Sequence, residues 1–327
     1  MRSRSLLLIL LNTVCSVAIV LVNKIVFQNA GVAVSSLLTA SHLIFQFAIL
    51  GTREAAAPSK AFHRFLHPYS VLSSIAFSIC MPIQNLSLHM NSIAANQMAK
   101  VMLLPCSFLL NYIFFRNAPS SRLVPSLLLT VIGSLMFQLS DSAATLASIS
   151  ISFIMVCSSW YCQTTIEQCK KELSMTATQQ MINVLPLSTL FVTATAPFID
   201  SVSLSLSAAT SQYSPLLQLP STWFAFLFLS CCLGLVVTWT CFEIVQSMSG
   251  LSYRMLSHAK TVVLFVIGIN FNGQPVSVRQ WVGAATTFTG VVWYLALLEP
   301  DTVVQHADSQ RGDEKAKLAE KKHVKKK

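Results

Sequence analysis

Charge is scarce in this sequence. Only 10% of its 327 residues are Asp, Glu, Lys or Arg, against about 25% in water-soluble domains, which excludes an ordinary soluble fold. Acidic side chains are scarcer still, 12 in all. Asp141, Asp200, Glu167 and Glu243 are scattered along the chain without a DxxD pairing. That argues against a metal-dependent membrane enzyme of the lipid-linked transferase kind, so neither a catalytic residue nor a metal ligand is assigned. The nine cysteines fall mostly inside apolar runs and form no CxxC motif; they read as small membrane hydrophobes, without a disulfide framework. A long Ser- and Arg-rich leader is missing as well, and the apolar stretch after Met1-Arg2-Ser3-Arg4 is too long for a signal-peptide core, so it reads as an uncleaved first span.

What the chain does have is apolar length. Hydrophobic residues make up 54% of it. Spanning a hydrocarbon core takes about 20 apolar residues in a helix, and about ten such stretches are present. They run over Leu6 to Phe27, Val34 to Thr52, Tyr69 to Leu88, Ser92 to Phe115, Leu123 to Leu139, Thr145 to Thr165, Thr178 to Ile199, Trp223 to Val245, Ser252 to Asn270 and Gln280 to Leu298. The expected fold is therefore an all-α polytopic membrane protein of ten transmembrane helices.

The net charge of +10 suggests a nucleic-acid partner only until its location is examined. Arg311, Lys315, Lys317, Lys321, Lys322, Lys325, Lys326 and Lys327 all follow Pro300, and most other basic residues lie in short loops. Arg2 and Arg4, then Arg53, Lys60 and Arg64, then Arg116 and Arg122, then Lys170 and Lys171 fall in alternate loops, and Arg279 is the exception. The positive-inside rule then gives an even number of spans, both termini cytosolic, and no nucleic-acid partner. Residues 300–327 are polar and mixed in charge, and read as a disordered basic cytosolic tail on a single transporter domain of residues 1–299.

Two lysines lie inside apolar runs, where a charge is expensive and marks function by default. Lys100 is in the fourth stretch and Lys260 in the ninth. Laying one over the other also superimposes Ser92 on Ser252 and Ala99 on Ala259. This predicts two five-helix repeats, about 1–141 and 142–299, of inverted topology, with the lysines facing one central cavity. An anion between them, phosphate or diphosphate, relieves their repulsion; the alternative is a lysine that snorkels or pairs with an acid such as Glu243. Asn23 and Lys24 read equally as interface anchor or site wall. His42 and His258 read as helix-to-helix hydrogen bonders ahead of proton relays. Asn183 offers an amide either to a base edge or to a neighbouring helix, while Gly283 and Gly290 with Thr286 and Thr287 suggest a close-packing surface.

From Leu6 to Leu298 the chain resembles the nucleotide-sugar transporter and triose-phosphate translocator family of the drug/metabolite transporter superfamily. The likeness is carried by Val22-Asn23-Lys24, by Leu38-Thr39 with His42, and by Asn85-Leu86-Ser87-Leu88 with Asn91-Ser92, Gln97 and Lys100. Its most specific segment is Met255-Leu256-Ser257-His258-Ala259-Lys260-Thr261, similar to the Lys-Thr branch, whose characterised members are mainly UDP-sugar transporters. The resemblance implies ten helices in inverted repeats, a Golgi or endoplasmic-reticulum membrane, and exchange of a cytosolic nucleotide sugar for a lumenal nucleoside monophosphate. It implies that Lys100 and Lys260 hold phosphates, that Thr261 supports that contact and that Asn183 lies near the base; His258, Gln97, Asn96 and Lys24 complete the candidate substrate-binding set. No cofactor is implied, and the bilayer is the expected surrounding.

Departures from the family pattern limit how far the solute is named. Plastid phosphate translocators usually carry Lys-Arg where this chain has Lys260-Thr261, and Leu256 to Lys260 does not match the Gly-Ala-Leu-Asn-Lys run of GDP-mannose carriers. Asn96 replaces an aromatic usual before Gln97, and Ser257 replaces a common Gly. The sugar stays open. Another phosphorylated solute, such as a triose phosphate, phosphoenolpyruvate or a GDP-sugar, a non-transporting regulatory role, and association as a homodimer also stay open.

Overall fold

The computed structural model describes residues 2–30, 35–56, 66–116, 121–141, 145–206, 221–247, 250–271 and 276–297. The basic tail expected over 300–327 lies outside the described residues. Among the described residues every element is a helix: α1 (Arg2–Ala30), α2 (Ser35–Ala56), α3 (Pro68–Met90), α4 (Ile93–Val101), α5 (Leu103–Phe115), α6 (Val124–Leu139), α7 (Leu146–Leu173), α8 (Ala177–Leu206), α9 (Ser221–Ser247), α10 (Gly250–Phe271) and α11 (Val278–Leu297). Six segments among them are long and apolar enough to cross a membrane, including Leu7–Gln28, Ile93–Phe115 and Ser221–Ile244. The chain is a polytopic helical membrane protein.

Burial is inverted relative to a soluble protein. Asn12, Asn96, Gln180, Asn183 and Thr287 are wholly buried, while Leu7, Val14, Phe114, Phe228 and Val292 are exposed. Lipid solvates those apolar side chains at no cost, whereas backbone and side-chain polar groups must find partners inside. Serines show how they do so. Ser73 donates to the Thr165 carbonyl of α7 at 3.0 Å and Ser74 to the Val184 carbonyl of α8 at 3.1 Å, and Ser188 returns a bond to the Ser74 carbonyl at 3.0 Å. Such bonds fasten α3 between α7 and α8 where the hydrophobic effect supplies no attraction between helices.

The fourth apolar stretch, expected as one helix over Ser92 to Phe115, is broken. α4 ends at Val101 and α5 begins at Leu103. Pro105 explains the position, because it has no N–H to give the Val101 carbonyl and its ring crowds that oxygen. Met102 forms the joint, its N–H reaching the Ala99 carbonyl at 3.0 Å in a tighter turn. Lys100 therefore sits in the last turn of a short helix, beside its negative dipole end. The sixth stretch, expected to stop near Thr165, continues as α7 to Leu173 and carries Lys170 and Lys171 in its final turn.

The principal helix pairs are α1 with α9, α3 with α7 and with α8, α2 with α8, α4 with α10, and α6 with α11. The last is the closest. A Cβ placed on Gly133 would meet the Thr287 nitrogen at 2.4 Å, one on Gly283 the Phe137 nitrogen at 2.7 Å, and one on Gly290 the Thr130 nitrogen at 2.7 Å. Only hydrogen fits between these backbones. Thr287 is buried in the seam, but Thr286 turns away and bonds its own helix at the Val282 carbonyl. Gly283→Ala is expected to cost about 1–3 kcal/mol by overpacking, read as a lowered unfolding temperature of the detergent-solubilised chain; Thr286→Ala should leave that temperature unchanged.

Candidate functional site

A cavity of about 280 Å³ opens between α1, α2, α3, α4, α7, α9 and α10. Lys100 comes to it from α4 and Lys260, with Thr261, from α10. Gln97 reaches it one turn before Lys100. The remaining lining is imidazole, amide, hydroxyl, thiol and apolar, with no Asp or Glu among the described residues. Glu243, the acid considered as a partner for a lysine, is not part of that lining. Both cations thus face a space with no counter-charge in its wall, an arrangement whose desolvation cost is lowered by a bound anion.

The two lysines are held differently. Lys260 is buried, and its Nζ donates to Asn12 Oδ1 at 2.6 Å. Asn12 is anchored in turn, its Nδ2 donating to Thr240 Oγ1 at 2.7 Å and the Val237 carbonyl at 3.3 Å on α9. The Lys100 ammonium makes no hydrogen bond or ion pair among the described residues. One cation is positioned and the other is available.

Unpartnered polar atoms accompany them. Gln97 Nε2, Gln46 Oε1 and Ser16 Oγ are buried without hydrogen-bond partners among the described residues, and all three side chains line the cavity. A buried donor or acceptor left unmatched costs about 1–3 kcal/mol, so a polar solute has these groups to satisfy. At the α2 side a chain of hydrogen bonds crosses four helices: His42 Nε2 to Ser230 Oγ at 2.8 Å, Ser230 to Asn23, Asn23 Nδ2 to Asn85 Oδ1 at 3.3 Å and Asn85 Nδ2 to Thr39 Oγ1 at 2.8 Å.

Other residues selected from the sequence lie elsewhere. Lys24 is not in the cavity wall; its Nζ caps the end of α3 through the carbonyls of Leu88 at 2.9 Å and Asn91 at 2.7 Å. The pair Asn23–Lys24 is split by helix rotation, Asn23 toward the cavity and Lys24 toward the α3 terminus. Asn96 accepts from Ser87 Oγ at 2.9 Å, tying α4 to α3. Asn183 is wholly buried and donates to its own helix at the Gln179 carbonyl, 2.8 Å away; it does not line the cavity. His258 lies on α10, and its side chain is outside the described residues.

Sequence reasoning missed Asn12, Ser16, Gln46, Gln84, Gln163 and Thr238 as groups in or behind the wall. A signal was present. Asn12, Ser16 and Asn23 on α1, and Thr39, His42 and Gln46 on α2, recur at three, four or seven positions, which places each set on one face of its helix.

No family model matches the chain. Among curated proteins it is similar to UDP-xylose transporter 3 of Arabidopsis thaliana, at 27% identity over 286 residues, covering 87% of this chain and 78% of the relative. Over most of its length the chain is similar to nucleotide-sugar transporters. UDP-xylose transporter 1 of the same plant is 25% identical over 288 residues, covering 87% and 81%, and UDP-rhamnose/UDP-galactose transporter 1 is 21% identical over 285 residues, covering 87% and 80%. Each of these relatives aligns with 87% of this chain.

The Asn12 contact makes a prediction separable from folding. Asn12→Leu removes the hydrogen bond that the Lys260 ammonium donates to Asn12 Oδ1, and a bond to a charged group contributes about 1.5–3 kcal/mol. Solute affinity should fall roughly tenfold or more in a variant that still purifies as a monodisperse protein, measured by competition binding.

Proposed function

We propose that the chain is a nucleotide-sugar antiporter, taking a UDP-sugar from the cytosol and returning a nucleoside monophosphate by alternating access. The observation that carries this is the pair Lys100 and Lys260 in one cavity whose described wall has no carboxylate. A diphosphate bridging the two ammonium groups supplies the missing negative charge with several acceptor oxygens. Thr261 and Gln97, also in the wall, add neutral donors. The names of the relatives supply the remainder of the solute, a uridine diphosphate sugar.

Helix pairing supports an inverted repeat of ten spans, if α4 and α5 are counted as one span broken at Met102. Exchanging the first five spans with the last five turns α1–α9 into α7–α3, and returns α2–α8, α4/α5–α10 and α6–α11 to themselves. All five pairs occur. A two-fold relation of this kind puts the solute where the halves meet and lets one half rock against the other around it. Halves of about 1–141 and 142–299, both termini cytosolic, a Golgi or endoplasmic-reticulum membrane and a tail outside the helical unit complete the reading.

Charge in the cavity also gives a reason for exchange. An empty carrier would have to move two uncompensated cations through its occluded state, whereas a carrier loaded with either nucleotide would not. Proteoliposomes preloaded with UMP are expected to take up labelled UDP-xylose at least tenfold faster than empty ones. Lys260→Ala and Lys100→Ala should each abolish that stimulated uptake in proteins that still fold. Equal rates from empty and loaded vesicles would remove the exchange mechanism, and transport surviving both substitutions would move the solute site.

A further inference from the structure

The hydrogen-bond chain at the α2 side of the cavity has a fixed direction. Thr39 Oγ1 donates its single proton to the Ser35 carbonyl at 2.8 Å, and a carbonyl oxygen can only accept. Thr39 must therefore accept from Asn85 Nδ2, which turns Asn85 Oδ1 toward Asn23 Nδ2. Asn23 Oδ1 is then left to accept from the Ser230 hydroxyl. With its proton committed, Ser230 accepts from His42, so Nε2 carries the imidazole hydrogen. The far nitrogen, Nδ1, holds a lone pair.

Nothing among the described residues takes that lone pair. Nδ1 has no hydrogen-bond partner there, although His42 is only 8% exposed. It lies beside Gly234 of α9, where a Cβ would come within 3.3 Å of Nδ1 and 3.6 Å of Gln46 Nε2. Gly234, His42 and Gln46 all line the cavity. The missing side chain at 234 leaves the acceptor uncovered toward the cavity, and Gln46 Oε1, one turn along α2, is a buried acceptor without a partner among the described residues.

We propose that His42 Nδ1, with Gln46 beside it, is a specificity-determining acceptor that receives an O–H or N–H from the part of the solute remote from its phosphates. This rests on the cavity being the solute site and adds to it a polarity: cations for phosphate at α4 and α10, neutral acceptors at α2 for a donor group. A site built to receive a hydrogen bond rejects a solute lacking the donor, because its own buried acceptor is then left unpaired. The donor is either a sugar hydroxyl or the imide N–H of uracil.

Substitutions separate the bond to the solute from the bond to Ser230. His42→Gln keeps an amide nitrogen where Nε2 meets Ser230 and deletes the Nδ1 acceptor. Gly234→Ala leaves the whole hydrogen-bond chain in place and covers Nδ1 with a methyl group. Both variants, the wild type and Lys260→Ala are reconstituted at full length with internal UMP, and uptake of labelled UDP-xylose is competed with unlabelled UDP-xylose or UMP. His42→Gln and Gly234→Ala are each expected to weaken UDP-xylose roughly fivefold or more. Weakening of UDP-xylose alone identifies a xylose hydroxyl as the donor, and equal weakening of UMP identifies a donor on the uridine, its imide or a ribose hydroxyl.

Unchanged affinity for both competitors in a folded Gly234→Ala protein overturns the proposal, whatever becomes of His42→Gln. Failure of the underlying site reading looks different. In that case Lys260→Ala retains wild-type competition by both nucleotides.

Discussion

Two ammonium groups face one low-dielectric cavity without a carboxylate in its described wall, and the rest of the structure is arranged around that imbalance. Isolated charge in a membrane interior is costly enough to be removed unless it does something. Here it is held in place. Lys260 is tied through Asn12 to α9, and Lys100 ends a helix that Pro105 cuts short.

The scaffold that carries the cations is joined by small residues and hydroxyls. α6 and α11 touch backbone to backbone through Gly133, Gly283 and Gly290, while α3 is laced to α7 and α8 by serines. These joints need no hydrophobic driving force, which lipid does not provide. Asp200 contributes another, accepting from the Ser36 and Leu37 amides at 2.9 and 3.1 Å at the start of α2. That cap steadies the helix carrying Thr39, His42 and Gln46 toward the cavity.

Helix positions were legible in the sequence because the length of an apolar run is a property of the run itself. Each expected stretch coincides with helix, and six segments among the described residues are long and apolar enough to cross a membrane; the differences include the break at Met102, signalled by Pro105, and the extension of α7 beyond Thr165 and of α8 to Leu206. Which face a residue occupies was harder to read. Lys24 follows Asn23 by one position, about 100° of rotation, so one lines the cavity and the other caps α3. Asn183 is polar and buried as expected of a site residue, yet its amide N–H goes to its own helix and the side chain does not line the cavity. Asn12 was invisible as a partner of Lys260 because 248 residues separate them. Its i, i+4 relation to Ser16 was the available hint.

The role proposed for the paired lysines is to hold phosphate and not base or sugar, and the most direct measurement compares UMP with uridine for binding to the purified chain. If paired lysines hold the phosphate, UMP binds and uridine, alike in base and ribose, binds at least tenfold more weakly, with the difference erased in Lys100→Ala and Lys260→Ala. Equal affinity for UMP and uridine in the wild type would contradict it.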